Sequence, residues 1–405
     1  MVTSSRLAFA PAPAAAPASV DGKRLISLLR WALVVRILVA IVLHAFSTDN
    51  LFAPDQQTYD AFSAWLARYW SGDTLIYPWK LLERGPKAYY YIVASLYFVF
   101  GAFPIVPKLL NAVVGTISVR LAYDVALGMA GSRAIALRTA AYTAFFPSLV
   151  LWSALNIRDC WVVLLILLIC REAMALQDGL RVAPLLLLAA AVLVVMQFRE
   201  YIFLAVAAPA VVSFLVRNRA HVARNVVLGM LLAGVAIYAD RAHDSDRRFQ
   251  TLDLESMQEL RQGAAVGGSR FEPAADISTP GKALMFLPKG LAFFLLAPFP
   301  WTVTNLRQLL TLPEMLFFYS LLPAMVHGVA VLIRHHLARS MMVLLITAGL
   351  TFGYSLAEAN AGMAYRHRAQ VLVFYLAFAA VGAESRRARR VSATLEPAAA
   401  APEVA

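Results

Sequence analysis

Pro54-Asp55-Gln56-Gln57-Thr58-Tyr59-Asp60 follows closely on the first long apolar run, which extends from about Leu25 to Ser47. A run of about 20 apolar residues is long enough to cross a bilayer. An acid just beyond its end therefore stands at the membrane surface, at the mouth of whatever the helices enclose. In the next turns Tyr59, Phe62, Trp65, Leu66 and Tyr69 recur at helical spacing and share one face. That pattern predicts an amphipathic helix lying in the interface, aromatic side down, with Asp55 free at its start. The rest of the chain reads as built around this corner.

Working outward, composition sets the class. The chain has 405 residues, 60% apolar and 15% charged, against about 45–50% and about 25% in a soluble domain. The expected fold is an all-α polytopic membrane protein. The formal net charge of +12 does not argue for nucleic acid. Most of the basic excess lies in short loops between apolar runs, the distribution that marks cytoplasmic loops. The expected environment is the lipid bilayer. Cys160 and Cys170 fall inside one apolar run and read as core residues, not as a disulfide framework. Residues 1–22 are rich in Ala, Pro and Ser without an apolar core. They read as a disordered cytoplasmic tail and not as a cleavable signal.

Loop charges then orient the runs. Lys23-Arg24 places the N-terminus inside, and Arg386-Arg387-Ala388-Arg389-Arg390 lands inside after the last run. Between them the alternation predicts ten spans, near 25–47, 107–129, 133–153, 160–176, 182–198, 202–216, 225–239, 313–333, 340–358 and 369–384. Pro147 is expected to bend the third. Two further apolar runs, 88–103 and 287–301, are short and bordered or interrupted by proline. They are expected to dip into the outer leaflet without crossing, as re-entrant helices. Irregular backbone at membrane depth requires protein cover or water, so two such elements on one side predict an outward-facing cavity. The domain organisation is thus a transmembrane domain over 23–390, with external segments at 48–106 and 240–312, and a disordered cytoplasmic tail over 391–405. Arg36, deep in the first span, is expected to join a buried ion pair.

This topology gathers Asp55, Asp60, Lys80, Arg84, Lys87, Lys108, Arg158, Asp159, Arg199, Glu200, Arg366 and Arg368 on the external face. Asp60 reads as a surface acid within its helix and Glu200 as the structural partner of Arg199. A cation-rich pocket beside a carboxylate suits a lipid-linked phosphosugar. The bases neutralise the phosphate as leaving group, and the acid takes the proton of the attacking hydroxyl. Arg366 and Arg368 run against the usual charge bias of external segments and read as phosphate binders. His335 and His336 lie in a basic loop without the partners a metal pair needs.

The early acid, Gly85-Pro86-Lys87-Ala88-Tyr89-Tyr90-Tyr91, Phe100-Gly101, Phe145-Phe146-Pro147-Ser148-Leu149 ahead of Arg158-Asp159, and Tyr365-Arg366-His367-Arg368 before the last span stand in a telling order. In that order the chain resembles the GT-C superfamily of polyprenyl-phosphate-dependent glycosyltransferases. It is most similar to the family 39-like branch of protein O-mannosyltransferases, aminoarabinose transferases and Rgt-like enzymes. The resemblance covers about residues 25–216 well and the remainder loosely. It implies a GT-C fold in a bacterial inner membrane, both termini cytoplasmic, the active site periplasmic. It implies catalytic roles for Asp55 and Asp159 and a basic substrate-binding position at Lys108; Arg366, Arg368, Arg199, Arg158, Lys87, Arg84 and Tyr59 are expected to bind substrate from their place at the external site. Members often carry a paired Asp-Glu at the first motif; here Asp55 is followed by Gln56. The chemistry implied is independent of metal and of any other cofactor. The partners implied are a polyprenyl-phosphate-sugar donor and a glycan, lipid or protein acceptor. The alternatives are a flippase or transporter for a lipid-linked glycan, which predicts an internal repeat, and a polysaccharide polymerase without this donor chemistry.

Overall fold

In a bilayer each backbone polar group must be satisfied within its own segment, so long apolar runs become helices. The computed structural model describes residues 18–75, 77, 87–179, 181–199, 254–265, 269–303 and 305–399, with isolated positions between 202 and 212. These residues are helical throughout, apart from turns and one antiparallel bridge between Arg270 and Asn360. The expected spans at 202–216 and 225–239 fall largely outside the described residues, as does the basic stretch Arg217–Arg224 between them.

In chain order the helices are α1 (Ala18–Ala45), α2 (Asp49–Phe52), α3 (Gln56–Trp70), α4 (Lys87–Phe100), α5 (Ile105–Ala130), α6 (Arg133–Phe145) and α7 (Pro147–Ser153). There follow α8 (Asp159–Asp178), α9 (Val182–Phe198), α10 (Leu254–Ala264), α11 (Pro280–Leu296), α12 (Leu306–His335), α13 (Leu337–Ala357) and α14 (Ala361–Ala399). Four of them, α1, α5, α12 and α13, are long and apolar enough to cross a membrane. The bent pair α6–α7 makes a fifth if counted as one span. The chain is therefore an α-helical protein equipped for a membrane. Its outer surface fits that medium: Trp31, Leu38 and Val42 on α1 point away from the protein, as do Leu186 on α9 and Val326 on α12.

The 58° break between α6 and α7 lies where the sequence predicts it. Phe146 is extended, with φ −65° and ψ 124°, because the ring of Pro147 disfavours helical geometry in the residue before it. Helix α4 has 14 residues, about 21 Å at 1.5 Å per residue, which falls short of a hydrocarbon core of about 30 Å. Helix α11 has 17 residues with Pro288 inside; it begins at Pro280, earlier than the proline pattern suggests. The boundaries of the tails also move. Helix α1 already begins at Ala18, and α14 continues to Ala399, because the Ala- and Arg-rich sequence on either side of residue 390 is strongly helix-forming.

Helix α14 is the axle. Residues 367–382 are buried without interruption, as befits a helix apolar all round and surrounded by others. Helix α12 runs along it at backbone contact. A methyl group at Gly328 would overlap the Phe378 carbonyl, and one at Gly382 would overlap the Ala324 carbonyl. Small residues are what permit such an approach between helices in lipid. The start of α14 meets the starts of α3 and α8 and the end of α9, and the polar side chains collect there.

Candidate active site

Arg366, in the second turn of α14, is the hub. Its Nε donates to Asp159 Oδ2 at 2.7 Å, and its Nη2 lies 2.6 Å from the same oxygen. Its Nη1 donates to Asp55 Oδ2 at 2.8 Å. Asp159 Oδ1 accepts from Arg199 Nη2 at 3.1 Å and from Gln370 Nε2 at 3.0 Å. Gln370 is one turn beyond Arg366, and the i, i+4 spacing puts both on one face of α14. A buried carboxylate persists only when paired and hydrogen-bonded. Asp159, with a side chain 1% exposed, has two guanidiniums and an amide. Asp55 differs in being 41% exposed, so its carboxylate is accessible beyond the ion pair. It is the N-cap residue of α3 by position, yet its side chain makes no capping bond; Arg366 takes it instead.

A second network supports the loop ahead of Asp159. Asn111 Nδ2 donates to the carbonyls of Leu155 at 2.7 Å and Ile157 at 2.9 Å. Trp161 Nε1 donates to Asn111 Oδ1 at 2.8 Å, and Tyr89 Oη donates to Asn156 Oδ1 at 2.6 Å. Asn156 Nδ2 donates to Asp60 Oδ1 at 2.6 Å, and Tyr97 donates to the same oxygen. Asp60 is thus no surface acid but the anchor of this network, because α3 turns that side chain toward α4. Tyr59 packs edge-on against Tyr89 with centroids 5.2 Å apart. Burial pushes its phenol pKa up, against the pull of Arg158 and Arg366, so the hydroxyl remains neutral at physiological pH.

Two cavities flank the hub. One, of about 260 Å³, is lined by Pro54, Trp152, Arg307, Gln308 and Arg366 among others. The second, of about 390 Å³, is mostly apolar, with Leu260, Leu350 and Met257 on its walls and Arg199, Glu358 and His367 at its polar end. Met363, in the first turn of α14, lines both. The second cavity is roofed by α10, which Arg261 fastens to the end of α13. Its Nη1 donates to the Glu358 carbonyl at 2.6 Å and its Nη2 to the Phe271 carbonyl at 3.1 Å. Sequence reading passed over Arg261, Asn111 and Asn156. A lone polar residue carries no signal until its partners are known, backbone carbonyls for Arg261 and Asn111 and the side chains of Tyr89 and Asp60 for Asn156.

Other expected site residues lie elsewhere or serve otherwise. Arg368 is turned away from Arg366, because two residues is more than half a helical turn. It is 3% exposed and donates to the carbonyls of Phe294 and Ala297 at the end of α11. It holds that helix end and is not at either cavity's surface. Asp159, expected to be catalytic, has both oxygens engaged by Arg366, Arg199 and Gln370, an arrangement that positions the two guanidiniums. Among the described residues Arg199 pairs with Asp159; Glu200, expected to pair with it, lies outside them. Arg158 Nη1 donates to the Phe198 carbonyl at 2.7 Å, tying the start of α8 to the end of α9. Lys108 is buried with Nζ 3.4 Å from His44 Nδ1, where α5 meets α1. Lys87 opens α4, half-buried, while Lys80 and Arg84 lie outside the described residues. Arg36 forms no carboxylate pair among the described residues. It donates to the carbonyls of Ala144 at 2.8 Å and Thr143 at 3.1 Å, which the break before Pro147 leaves without helical donors.

Compared with known proteins, the chain matches no protein-family model and no curated sequence.

Proposed function

We propose that the chain is an integral-membrane glycosyltransferase that moves a sugar from a polyprenyl-phosphate donor to an acceptor on the periplasmic side of a bacterial inner membrane. The observation that carries this reading is the chain Asp55–Arg366–Asp159–Arg199, assembled from four separate segments between two cavities. The apolar cavity of about 390 Å³ suits an isoprenoid chain with its phosphate at the Arg199 end. The cleft of about 260 Å³, on the Asp55 side, suits the acceptor.

In the reaction the acceptor oxygen attacks the anomeric carbon. The bond from that carbon to the phosphate oxygen breaks, and the phosphate keeps the electron pair. Arg366 and Arg199 neutralise the charge that develops there. Asp55 accepts the hydroxyl proton, a role worth typically 10²–10⁴ in rate. Arg366 joins the two halves of the chemistry. A donor phosphate competes with Asp55 for its guanidinium, so donor arrival releases the base. Tyr59, neutral and beside this pair, serves as a hydrogen-bond donor to substrate. In this reading the fold is of GT-C type with ten spans and both termini cytoplasmic, and no metal or other cofactor takes part.

The test is Asp55→Asn in the full-length chain, reconstituted with a radiolabelled polyprenyl phosphosugar. Transfer, including transfer to water, should fall by about 10²–10⁴ while the melting temperature in detergent stays near wild type. Undiminished turnover would remove the mechanism. Translocation of the lipid-linked sugar without cleavage would replace the enzyme with a transporter.

A further inference from the structure

The smaller cleft has a charge that the chemistry above does not use. Two guanidiniums, Arg307 and Arg366, line it, and no carboxylate lines it among the described residues. Arg366 is spent on Asp55 and Asp159. Arg307 is half-buried in the first turn of α12 and forms no ion pair with a described residue. Its neighbours sharpen the field. The first turns of α12 and α14 both open on this cleft, through Gln308 and Gly362, and the start of a helix carries partial positive charge. Lining, size and field therefore agree. The volume is below the roughly 300–1,000 Å³ of a drug-sized ligand site, and Trp152 and Tyr365 give it flat apolar walls.

Resting on the glycosyltransferase reading, we infer that the acceptor is an acidic sugar. Its carboxylate or phosphate docks on Arg307, and its accepting hydroxyl faces Asp55. A guanidinium binds either anion through paired N–H donors, so the shared chemistry is the anion. Arg307 is then a specificity-determining residue for the acceptor, in a cleft that Asp55 borders through its neighbour Pro54 and its partner Arg366.

Equilibrium binding to the full-length chain in detergent at low salt tests this without any donor or turnover. The probes are methyl glucuronide, glucose 6-phosphate and methyl glucoside, followed by calorimetry. At least one anionic probe should bind in the millimolar range or tighter, and at least about tenfold tighter than the neutral glucoside, as expected of one charge-assisted contact. Which of the two anions wins identifies the acceptor's acid. Arg307→Gln should bring the preference close to one, Arg307→Lys should keep part of it, and rising salt should erode it. Equal binding of glucoside and anions, an unchanged preference in a folded Arg307→Gln variant, or no anion binding at all would each overturn the inference. Failure of the glycosyltransferase reading has a different signature: intact donor after incubation with the wild-type chain, whatever the binding data show.

Discussion

The two halves of helix α14 obey different rules. From Val371 to Gly382 it is wholly buried and uncharged, and it lies against α12 so closely that glycine is the one residue that fits at 328 and 382. From Tyr365 to Gln370, in less than two turns, it buries an arginine, a histidine and a glutamine and carries a second arginine that is largely covered. The first half is held by dispersion and close packing. The second exists only because each polar group has a partner: Asp55 and Asp159 for Arg366, Glu358 for His367, the α11 carbonyls for Arg368. A helix that wanted only stability would continue the first pattern to its end. The second pattern is the one that requires a functional explanation.

The sharpest way to break the comparison is at its apolar half. Gly382→Leu would drive a side chain into the Ala324 carbonyl, with backbone rather than a flexible side chain in the way. Overpacking costs typically about 1–3 kcal/mol and occasionally more, and here the two helices must separate. The expected outcome is loss of folded protein, read as aggregation on size exclusion from detergent. Normal yield and melting would mean that the α12–α14 seam is looser than the glycine contacts imply.

Next in size is the polar half, where two arginines on one helix should separate function from fold. Arg366→Met leaves Asp159, buried, with Arg199 and Gln370 alone. Removing one partner of a buried ion pair costs about 3–5 kcal/mol; here the residual partners place the loss toward the lower end. Donor turnover should vanish as well. Arg368→Met strips donors from the carbonyls of Phe294 and Ala297, a loss of about 1–3 kcal/mol, with no contact to Asp55 or Asp159 broken. Melting temperature and donor turnover, measured on both variants, decide the matter. Equal loss of turnover per degree of melting in the two would dissolve the distinction.

How much of this was legible beforehand follows the same division. The helical membrane class, the bend at Pro147 and the shortness of α4 follow from run length and proline sterics, which are local. That Asp55, Asp159, Arg199 and Arg366 belong together came from loop-charge orientation, which reports the side of a membrane and little else. It therefore grouped Arg368 with Arg366, since it cannot tell which way a side chain points around a helix. Position within a helix and depth in a span are equally blind to direction, and they made Asp60 a surface acid and Arg36 an ion-pair member. Their partners, Asn156 with Tyr97 and the carbonyls before Pro147, are set by packing between helices far apart in sequence. Arg261 was invisible on identical grounds: four backbone carbonyls hold it, and carbonyls have no sequence signature.

The smallest effect belongs to an ion pair outside both halves. Asp276, just ahead of α11, accepts from Lys282 and from Ser278. The Lys282 ammonium, then the Ser278 hydroxyl and amide, hold its carboxyl below the usual range. With a depressed folded-state pKa, any stabilisation is present above the ordinary carboxylate pKa and is lost as pH falls through the folded value. Both partners are about half exposed, so water and salt screen the pair, and surface pairs of this kind often contribute nothing measurable. Lys282→Gln should leave melting unchanged at neutral pH and should not alter its acid dependence. A clear loss of stability in Lys282→Gln, confined to pH above the carboxylate range, would mean that the segment carrying Asp276 is held down by charge. The bonds from Gln258 to the Ala275 carbonyl and from the Ile277 amide to Gln258 would then be too weak alone to fix that segment to α10.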